Sequence, residues 1–524
     1  MPHLPAAFIF YLDSRLRGND TSVYNKFMID FFKSIPHKFK GEEKALIEKA
    51  IEFATEAHKG QKRKSGEPYI NHPVSAAIIL AQIFPDTATI CATILHDITE
   101  DTEVSQEELI KEFGEEIAGL VDGVTKLGHV RLLNSKDEYY VENLRKMFIA
   151  TSRDVRVMLV KLSDRLHNMR TIKYLSPEKQ HKIARETLEM YAPIAGRLGI
   201  GSWKDELEDL SFQVVDSEHY NETEKLLLEE LEKRNKNIKQ LQKELSSILK
   251  IEGIKFEDIT GRTKRIYSLY KKLQRYEDDI SKIYDLNALR IITKSKADCY
   301  AVLGIIHKHF NPVPGRVKDF IASPKPNDYQ SIHTTVFDKS GAVFEIQIRT
   351  DLMHETAERG IAAHWFYEEK GKPEQLERGQ KWFKELRTWQ EEVSNNPEEF
   401  LEGLKIDFFR DRIFVLTPQG DVKDLPTDAS VIDFAFAVHS DLGYQMMGAK
   451  INGKMGKITD ELKQGDVVEI IKSKKAATPS RDWLTVAKTS HARSMIRKYL
   501  QEHDKGIFQR VREIRLKDIS ARIP

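Results

Sequence analysis

The chain is poor in cysteine and has no long apolar run, and both absences exclude classes of protein. Cys91 and Cys299 are the only cysteines among 524 residues, too few for a disulfide framework or a cysteine-rich zinc module, so we expect a reducing, cytoplasmic environment. No apolar run approaches the roughly 20 residues of a membrane span. Residues 6–12 come nearest, but they lack the basic start of a signal peptide. We expect no membrane association, and we interpret residues 1–37 as a poorly ordered extension.

An excess of charge of one sign is also missing. The chain has 82 Lys and Arg residues against 81 Asp and Glu residues, a formal net charge of +1. Any binding of nucleotides or RNA must therefore come from local basic clusters, not from a basic field over the whole protein. The length predicts about three domains.

The first candidate site lies in residues 38–201, where apolar residues recur at helical spacing between short turns and predict an all-α domain. Within it, the run ICATILHDITEDT contains His96 and Asp97, followed by Glu100 and Asp101. An imidazole beside a carboxylate suits a cation such as Mn²⁺, Fe²⁺ or Zn²⁺. The two later carboxylates could hold or deprotonate a water on that cation. A chance pair at a charged helix end is the alternative interpretation.

Two further segments favour the metal. In YINHPV a histidine stands directly before a proline, which is a favoured first helical residue. Residues 154–172 predict a helix on which Asp164, Asn168 and Thr171 share one face. Such a stripe, with a carboxylate, an amide and a hydroxyl, would pack poorly in an apolar core. It suits the wall of a metal–nucleotide site. The four candidate metal ligands, drawn from three predicted helices, are His72, His96, Asp97 and Asp164.

Residues 202–250 are highly charged and predict a long linker helix or a pair of helices. From residue 251 the pattern changes to mixed α and β. GRTKR at 261–265 is interpreted as the start of a helix, where added lysines and arginines favour anions. Asp285 begins one strand-like stretch, and Glu345 lies on another with Gln347 and Arg349 on the same face. Asp285 and Glu345 are a possible Mg²⁺ pair, because Mg²⁺ is usually held by one or two carboxylates plus substrate phosphates.

The helical motifs GQKRKSGEPYINHP, LHDITEDT and KLSDRLHNMRT together resemble the hydrolase domain of the RelA/SpoT family of alarmone enzymes, which are HD phosphohydrolases. The resemblance implies that the four candidate ligands hold one Mn²⁺ and that Glu100 and Asp101 activate the attacking water. It implies hydrolysis of the 3′-pyrophosphate of ppGpp or pppGpp, with Arg63 at the guanine base. The substrate contacts expected here are Arg63, Lys64, Asn168 and Thr171.

The later motifs GRTK, YDLNALR, RVKDFIASPKPNDYQSIHT and FEIQIRT resemble the synthetase domain of the same family, which has a nucleotidyltransferase-like α/β fold. The resemblance implies pyrophosphoryl transfer from ATP to the 3′-hydroxyl of GDP or GTP. Asp285 and Glu345 would hold Mg²⁺, and Glu345 would also activate the hydroxyl. The RVKD form is typical of bifunctional members. Arg262 would stack on the adenine of ATP, Lys264, Lys272 and His333 would meet phosphates, and Tyr329 would stack on guanine. The substrate contacts implied are Arg262, Lys264, Lys272, Lys318, Asn327, Tyr329, Gln330 and His333.

One residue departs from this pattern. Asp328 stands where the family usually has glycine. If that position requires a positive φ, aspartate is tolerated there less well than glycine, and synthesis would be weakened. A hydrolase with a decayed synthetase site is therefore an alternative. A non-catalytic regulator that binds ribosomes or tRNA, and a tRNA nucleotidyltransferase, are two others.

The C-terminal part completes a multidomain α and α+β chain. Residues 371–405 predict a helical connector, and residues 406–473 predict short strands around one helix, resembling a TGS domain with a β-grasp fold. AFAVHSDLG resembles the segment that meets the tRNA 3′ end in ribosome-bound members, which makes His439 the candidate contact to uncharged tRNA. That histidine could instead only cap a helix. Tyr444 stands where histidine is more usual. Residues 474–524 resemble the start of a helical regulatory domain.

The resemblance also implies a role in the stringent response, with two opposed activities in one chain. Simultaneous synthesis and hydrolysis would waste ATP, so we expect opposed conformations that are coupled through residues 202–250. The sequence leaves the oligomeric state open.

Overall fold

The protein is described by a computed structural model that covers residues 28, 31–128, 154–325, 327, 329–338, 341–360, 362–363, 412–473 and 479–502. The chain divides into two compact units, Met1–Glu392 and Val393–Pro524. Most of the predicted N-terminal extension, the connector at 371–405 and Asp328 lie outside the described residues.

The first part of the larger unit is helical, as the periodicity predicts. Its apolar positions at 47, 51, 80 and 90 are fully buried and form the core between the helices. The helices are α1 Gly41–Ala57, α2 Asn71–Ala81, α3 Thr87–Ile94, α4 Ile98–Asp101, α5 Gln106–Gly128, α6 Val155–Arg170, α7 Pro177–Glu186 and α8 Ala192–Arg197, with a π-helical turn at Thr187–Tyr191.

A break in the helical run positions the predicted metal ligands. The Asp86 side chain accepts a hydrogen bond from Thr89 N and caps the start of α3. That helix ends at Ile94, and α4 begins only at Ile98. The His-Asp pair at 96–97 therefore lies in the turn between two helices, not on one continuous helix. Because α2 packs against α6, the histidine of α2 faces the aspartate of α6.

The predicted linker is a pair of helices, α9 Gly201–Val215 and α10 Ser217–Ile251. Asp216 separates them, and its side chain accepts a hydrogen bond from His219 N at the start of α10. Of the two predicted alternatives, the structure has the pair of helices.

A five-stranded sheet follows, in the order β1-β2-β5-β4-β3. Within this sheet, β2 and β5 are the parallel neighbours, and Ala288 of β2 pairs with Glu345 of β5. Apolar residues of the sheet, including Ile291, Ile346 and Ile348, are fully buried against α10 and α12. The elements are β1 Phe256–Thr263, α11 Ile266–Arg275, β2 Asn287–Thr293, α12 Lys296–His309, β3 Lys318–Asp319, β4 Ile332–Phe337, β5 Val343–Thr350 and α13 Asp351–Arg359.

Two local predictions in this region are wrong. GRTKR does not open a helix: its first three residues end β1, and the helix begins at Ile266. Pairing with β2 overrides the local helix signal there. Asp285 lies in the turn before β2, not on the strand. On the polar face of β5, Gln347 is 6% and Arg349 is 1% exposed, so both faces of this strand are largely covered.

The second unit contains a three-stranded sheet, β10-β8-β9, and a two-stranded sheet, β6-β7. Two consecutive helices occur where the sequence predicts one. Asp433 forms a capping box with Ser430 and starts the first of them. The elements are β6 Arg412–Leu416, β7 Val422–Pro426, α14 Val431–Val438, α15 Ser440–Gln445, β8 Met446–Ile451, β9 Lys454–Gly456, β10 Val468–Lys472 and α16 Trp483–Val486. Within the described parts of both units, every helix is too short or too polar to cross a membrane.

Candidate functional site

The four predicted metal ligands converge in the helical domain. The Nε2 atom of His72 lies 3.2 Å from Oδ1 of Asp164 and 3.5 Å from Oδ2 of Asp97. The Nε2 atom of His96 lies 3.1 Å from Oδ1 of Asp97 and 3.8 Å from Oδ1 of Asp164. Ligand atoms of His72, His96 and Asp164 lie within 4.8 Å of one another. Side chains that are up to 92 residues apart in sequence, as the residue numbers show, thus surround one point.

This donor set fits a divalent cation. Nδ1 of His96 lies 2.8 Å from the carbonyl oxygen of Thr93, which can only accept, so Nδ1 donates a proton there. Nε2 of His96 is buried without a hydrogen-bond partner and faces carboxylate oxygens. Burial lowers the pKa of His96, but Asp97 and Asp164 outweigh burial and raise it to about 10. The carboxylates therefore favour a positive charge at this point, either a proton on Nε2 or a metal ion.

Asp164 is buried and surrounded by polar partners. It is 4% exposed, its Oδ2 accepts from Lys161 Nζ at 2.9 Å, and its Oδ1 accepts from Asn168 Nδ2 at 2.6 Å. Burial raises the pKa of this carboxyl, but Lys161 and the two histidines outweigh burial and hold the pKa well below its usual value. Asp164 is therefore a carboxylate at neutral pH, which a metal ligand must be.

Arg63, Asn168 and Thr171 are brought together beside these ligands. Arg63 Nη2 donates to Asn168 Oδ1 at 2.7 Å, and Nη1 donates to Thr171 Oγ1 at 3.3 Å. Lys64 is exposed on the same loop, and Glu100 and Asp101 are exposed at the end of α4. Arg63, Asn168 and Thr171 thus form a wall beside the metal ligand Asp164.

Sequence reasoning missed two residues of this site. The Tyr69 hydroxyl lies 2.8 Å from Asp97 Oδ2 and 2.6 Å from Asp101 Oδ2. Nδ1 of His167 lies 2.8 Å from Nδ1 of His72. The helical spacing could have revealed His167, because i and i+3 place it on the same face as Asp164. No local signal points to the tyrosine, whose partners lie 28 and 32 residues away.

The sheet domain holds the second predicted carboxylate pair. Oδ2 of Asp285 accepts from Lys264 Nζ at 2.7 Å and from Lys272 Nζ at 2.6 Å. Burial raises the pKa of Asp285, but the two lysines outweigh it and lower the pKa to about 2. Burial also lowers the pKa of Lys264 to about 8. Three of the predicted ATP-site residues are therefore one contact group.

Glu345 belongs to a second group on β4 and β5. Its Oε1 accepts from Gln347 Nε2 at 2.8 Å and lies 3.4 Å from His333 Nδ1. Nε2 of His333 lies 2.8 Å from the Tyr329 hydroxyl. Burial raises the pKa of Glu345, but His333 and Gln347 outweigh burial and lower it. Glu345 is therefore a carboxylate at neutral pH, as a Mg²⁺ ligand must be.

The remaining predicted synthetase residues lie around these groups. Arg262 Nη2 lies 3.5 Å from Asp205 Oδ2 of α9, and Asn327 Nδ2 donates to the carbonyl of Gly196 at 3.2 Å. Lys318 is exposed on β3, and Gln330 is half-buried. Nothing in the sequence singles out Arg290, whose Nη1 lies 3.4 Å from Glu358 Oε1 in a partly buried ion pair.

His439 caps a helix in the second unit. Its Nδ1 accepts a hydrogen bond from Asp441 N at 3.2 Å at the start of α15, so the capping role considered from the sequence is present. The side chain is nevertheless 69% exposed. Tyr444, where histidine is more usual, donates its hydroxyl to the carbonyl of Met495 at 3.3 Å. That tyrosine thus joins α15 to the helical residues 490–502.

Two histidines and two aspartates that meet between helices, one His-Asp pair among them, define an HD-type domain. Comparison with family models agrees: residues 50–201 match an HD domain, residues 261–372 match the region found in RelA / SpoT proteins, and residues 413–472 match a TGS domain. The chain belongs to the RelA/SpoT family. The predicted fold class, with its HD, synthetase and TGS parts, is confirmed.

Named relatives cover most of the chain. A GTP pyrophosphokinase of Myxococcus xanthus is 46% identical, over 88% of this chain and 61% of that protein. A probable guanosine-3′,5′-bis(diphosphate) 3′-pyrophosphohydrolase of Synechocystis is 44% identical, over 87% of this chain and 60% of that protein. A guanosine-3′,5′-bis(diphosphate) 3′-pyrophosphohydrolase of Aquifex aeolicus is 44% identical, over 89% of this chain and 67% of that protein. The chain thus spans about three fifths of the length of the first two relatives.

Proposed function

We propose that the chain is a bifunctional alarmone enzyme that hydrolyses the 3′-pyrophosphate of ppGpp or pppGpp and also synthesises these nucleotides from ATP and GDP or GTP. The observation that carries the hydrolase half is the convergence of His72, His96, Asp97 and Asp164. Relatives that are named for each activity match most of the chain, which supports the pairing of the two.

For hydrolysis, Mn²⁺ is the proposed cation at the four ligands, and it would supply a Lewis acid for the phosphoryl oxygens and the attacking water. Asp101, with Glu100 beside it, accepts the proton of that water. The water oxygen bonds to the phosphorus on the 3′-oxygen, and the bond between that phosphorus and the 3′-oxygen breaks. The 3′-oxygen takes up a proton from solvent, and GDP or GTP and pyrophosphate leave. Arg63, Asn168 and Thr171 form the wall that orients the nucleotide.

For synthesis, Mg²⁺ is the proposed cation at Asp285 and Glu345, where it would neutralise the phosphates of ATP. Glu345, oriented by His333, accepts the proton of the 3′-hydroxyl. The 3′-oxygen bonds to the β-phosphorus of ATP, and AMP leaves. Lys264 and Lys272 are held at Asp285 and can turn to the phosphates, while Tyr329 stacks on guanine.

We further propose that the second unit binds the ribosome and uncharged tRNA, with His439 at the tRNA. The match to a TGS domain and the exposure of that histidine support this partner. A cytoplasmic location is part of the same proposal, and two buried free thiols at Cys91 and Cys299 support a reducing compartment.

Coupling between the two sites is proposed to run through α9, which lies in the linker that the sequence predicts for this role. Glu208 Oε1 of α9 accepts from Lys271 Nζ at 2.9 Å, and Asp209 Oδ1 accepts from Tyr267 N at 2.9 Å. Ser202 Oγ donates to the carbonyl of Glu358 at 3.3 Å. On the other side, Arg170 Nε of α6 donates to Glu206 Oε1 of α9 at 2.6 Å. A movement of α9 would therefore reach the helix that carries Asp164 as well as α11 and α13.

The decisive experiment assays the purified chain with ppGpp and Mn²⁺, and then with ATP, GDP and Mg²⁺. Asp97→Asn is expected to lose hydrolysis and keep synthesis, and Glu345→Gln is expected to do the reverse, so each variant is the control of the other. If neither the wild type nor Asp97→Asn hydrolyses ppGpp and both still bind tRNA, the chain is a non-catalytic regulator. Incorporation of CTP or ATP into RNA would favour tRNA nucleotidyltransfer.

A hydrolase with a decayed synthetase site is the second candidate, because Asp328 replaces the usual glycine. Replacing Asp328 by Gly separates the two candidates. Synthesis that appears only in the Gly variant would favour decay, whereas synthesis at a similar rate in both chains would favour the bifunctional enzyme.

A further inference from the structure

Residues 61–69 form a loop whose two arms are bonded to each other. Tyr69 N donates to the carbonyl oxygen of Gln61 at 3.0 Å, and Arg63 N donates to the carbonyl oxygen of Glu67 at 2.9 Å. Arg63 begins the turn at the tip, where its side chain is bonded to the wall at α6. The loop is therefore anchored at its tip to the helix that carries a metal ligand.

The base of this loop is bonded to the end of α4. Nε2 of Gln61 donates to the carbonyl oxygen of Asp101 at 2.7 Å. Asp101 is the last residue of α4, a helix of four residues, and the last carbonyls of a helix have no partner within the helix. The Tyr69 hydroxyl lies 2.6 Å from the carboxylate of the same aspartate. Gln61 thus holds the main chain of Asp101, while Tyr69 holds its side chain.

His58 determines which way the amide of Gln61 points. A carbonyl oxygen can only accept, so the amide nitrogen of Gln61 faces Asp101 and its Oε1 faces His58. Nδ1 of His58 lies 2.8 Å from that oxygen and therefore donates to it. His58 is 3% exposed, and its ring stacks on Tyr69 with the centroids 4.7 Å apart. One buried ring therefore supports both groups that contact Asp101.

We propose that Gln61 is a positioning residue for hydrolysis, which holds the end of α4 so that the Asp101 carboxylate stays where it accepts the proton of the attacking water. The inference rests on the role of Asp101 in the proposed function. Gln61 stands two residues before Arg63. One loop thus both meets the nucleotide, through Arg63, and places the proton acceptor.

The test compares Gln61→Met, Asp101→Ala and the double variant in the full chain with Mn²⁺ and ppGpp. Methionine keeps the length of the side chain and removes its donor. We expect kcat of Gln61→Met to fall about 2–10-fold, the range for one neutral hydrogen bond, with KM unchanged because the contacts of Arg63 remain. Asp101→Ala should lower kcat by about 10²–10⁴-fold, as loss of a proton acceptor does. In that background Gln61→Met should have no further effect, because no carboxylate is left to position.

Gln106→Met is the matched control, because Gln106 Nε2 donates to the carbonyl oxygen of Ala118 at the same 2.7 Å within the helical domain. Its kcat should equal that of the wild type. Hydrogen exchange of the metal-free chain is the second readout. The amides of α4 should exchange about 2–10-fold faster in Gln61→Met, because the same bond opposes their local opening, and at the wild-type rate in Gln106→Met.

Synthesis of ppGpp by the same variants checks that each chain is folded. If Gln61→Met does not fold, His58→Phe takes its place. Phenylalanine keeps a ring to stack on Tyr69 and removes the donor to Gln61, so kcat should fall and α4 should exchange faster, in the same directions as for Gln61→Met.

A loss of kcat on Gln61→Met that is equal with and without the Asp101 carboxylate would overturn the inference, because a general weakening of the fold acts on both chains alike. A wild-type kcat in Gln61→Met beside a large loss in Asp101→Ala would also overturn it and leave the proposed function standing. If Asp101→Ala hydrolyses ppGpp at the wild-type rate, the proposed proton acceptor is wrong, and the inference falls with it. The two failures are therefore distinguishable.

Discussion

The hydroxyl oxygen of Tyr69 lies 2.6 Å from Oδ2 of Asp101. The same hydroxyl lies 2.8 Å from Oδ2 of Asp97, so one phenol joins a candidate metal ligand to the candidate proton acceptor. Burial, together with the charges of these two carboxylates, raises the pKa of Tyr69. The phenol is therefore a neutral donor at working pH. Its hydroxyl lies between two carboxylates that would otherwise repel each other.

Replacing Tyr69 by Phe should slow hydrolysis without weakening nucleotide binding. The ring and its stacking on His58, with centroids 4.7 Å apart, are kept, and only the donor is lost. A hydrogen bond to a charged group contributes about 1.5–3 kcal/mol, so kcat for ppGpp should fall about 10–100-fold. KM should change little, because the hydroxyl bonds to the carboxylates of Asp97 and Asp101 and the wall at Arg63 is left intact. Initial rates at several nucleotide concentrations measure both.

Tyr300→Phe is the matched control for that experiment. It removes a tyrosine–carboxylate bond of similar length, 2.9 Å to Asp319 Oδ2, from the sheet domain. Its hydrolysis should equal that of the wild type. Equal kcat values in both variants would show that the Tyr69 hydroxyl does not position Asp101.

Gly360 marks the tightest approach between the helical and sheet domains. Its φ is +58°, and a Cβ there would overlap the carbonyl oxygen of Leu198, while a Cβ on Gly199 would lie 2.9 Å from Gly360 Cα. Gly360→Ala should therefore lower the free energy of unfolding by more than backbone strain alone and change the rates of both activities. Gly341→Ala is the control, with φ +82° and no atom within 4 Å. Gly341→Ala should lower the free energy of unfolding only by the backbone strain, about 1–2 kcal/mol. Equal losses in urea unfolding would argue against a constrained junction.

Asp205 should restrain the binding of ATP. Its carboxylate lies 3.5 Å from Arg262, a predicted ATP contact whose side chain is 42% exposed. An exposed ion pair contributes about 0.2–1 kcal/mol, so Asp205→Asn should lower KM for ATP by up to about fivefold. Glu206→Gln is the neighbouring control, because Glu206 pairs at 2.6 Å with Arg170 inside the helical domain. If both variants leave KM for ATP unchanged, α9 does not compete for Arg262.

Asp209 should make the stability of the larger unit depend on pH. Burial raises the pKa of this carboxyl from 3.8 to about 6, with Asp205 and Glu208 adding to the effect and Arg265 opposing it. A proton is then bound more tightly in the folded state than in the unfolded state. The contribution of Asp209 to stability is therefore highest below about pH 4 and falls as the pH rises through about 6, by about 3 kcal/mol.

Asp209→Asn removes this titration and keeps an oxygen that can accept from Tyr267 N. Relative to the wild type, the variant should gain stability as the pH rises from about 4 to 6, as urea unfolding at several pH values would show. Asp216→Asn is the contrasting control, because a hydrogen bond from His219 lowers the pKa of Asp216. Its effect should have the opposite sign. If the difference in stability between Asp209→Asn and the wild type does not change with pH, the raised pKa assigned to Asp209 is wrong.

The sequence predicted what depends on neighbours along the chain. The i, i+4 and i+7 spacing of Asp164, Asn168 and Thr171 places them on one helical face, and that face is the wall observed beside the metal ligands. Alternation in FEIQIRT predicted β5. The same local reasoning failed at GRTKR, because pairing of β1 with β2 determines the conformation there. It also missed the break before Asp97, which moves the His-Asp pair off the helix.

By itself, then, the sequence determined the residue types, their helical and strand periodicity and the family pattern, because these are properties of short segments. Tertiary structure alone decided which atoms meet: that Tyr69 joins two carboxylates, that Lys264 and Lys272 share one oxygen of Asp285, and that His167 lies against His72. Such contacts form only after several helices or strands have packed. Their distances follow from that packing, and no short stretch of the chain contains the information.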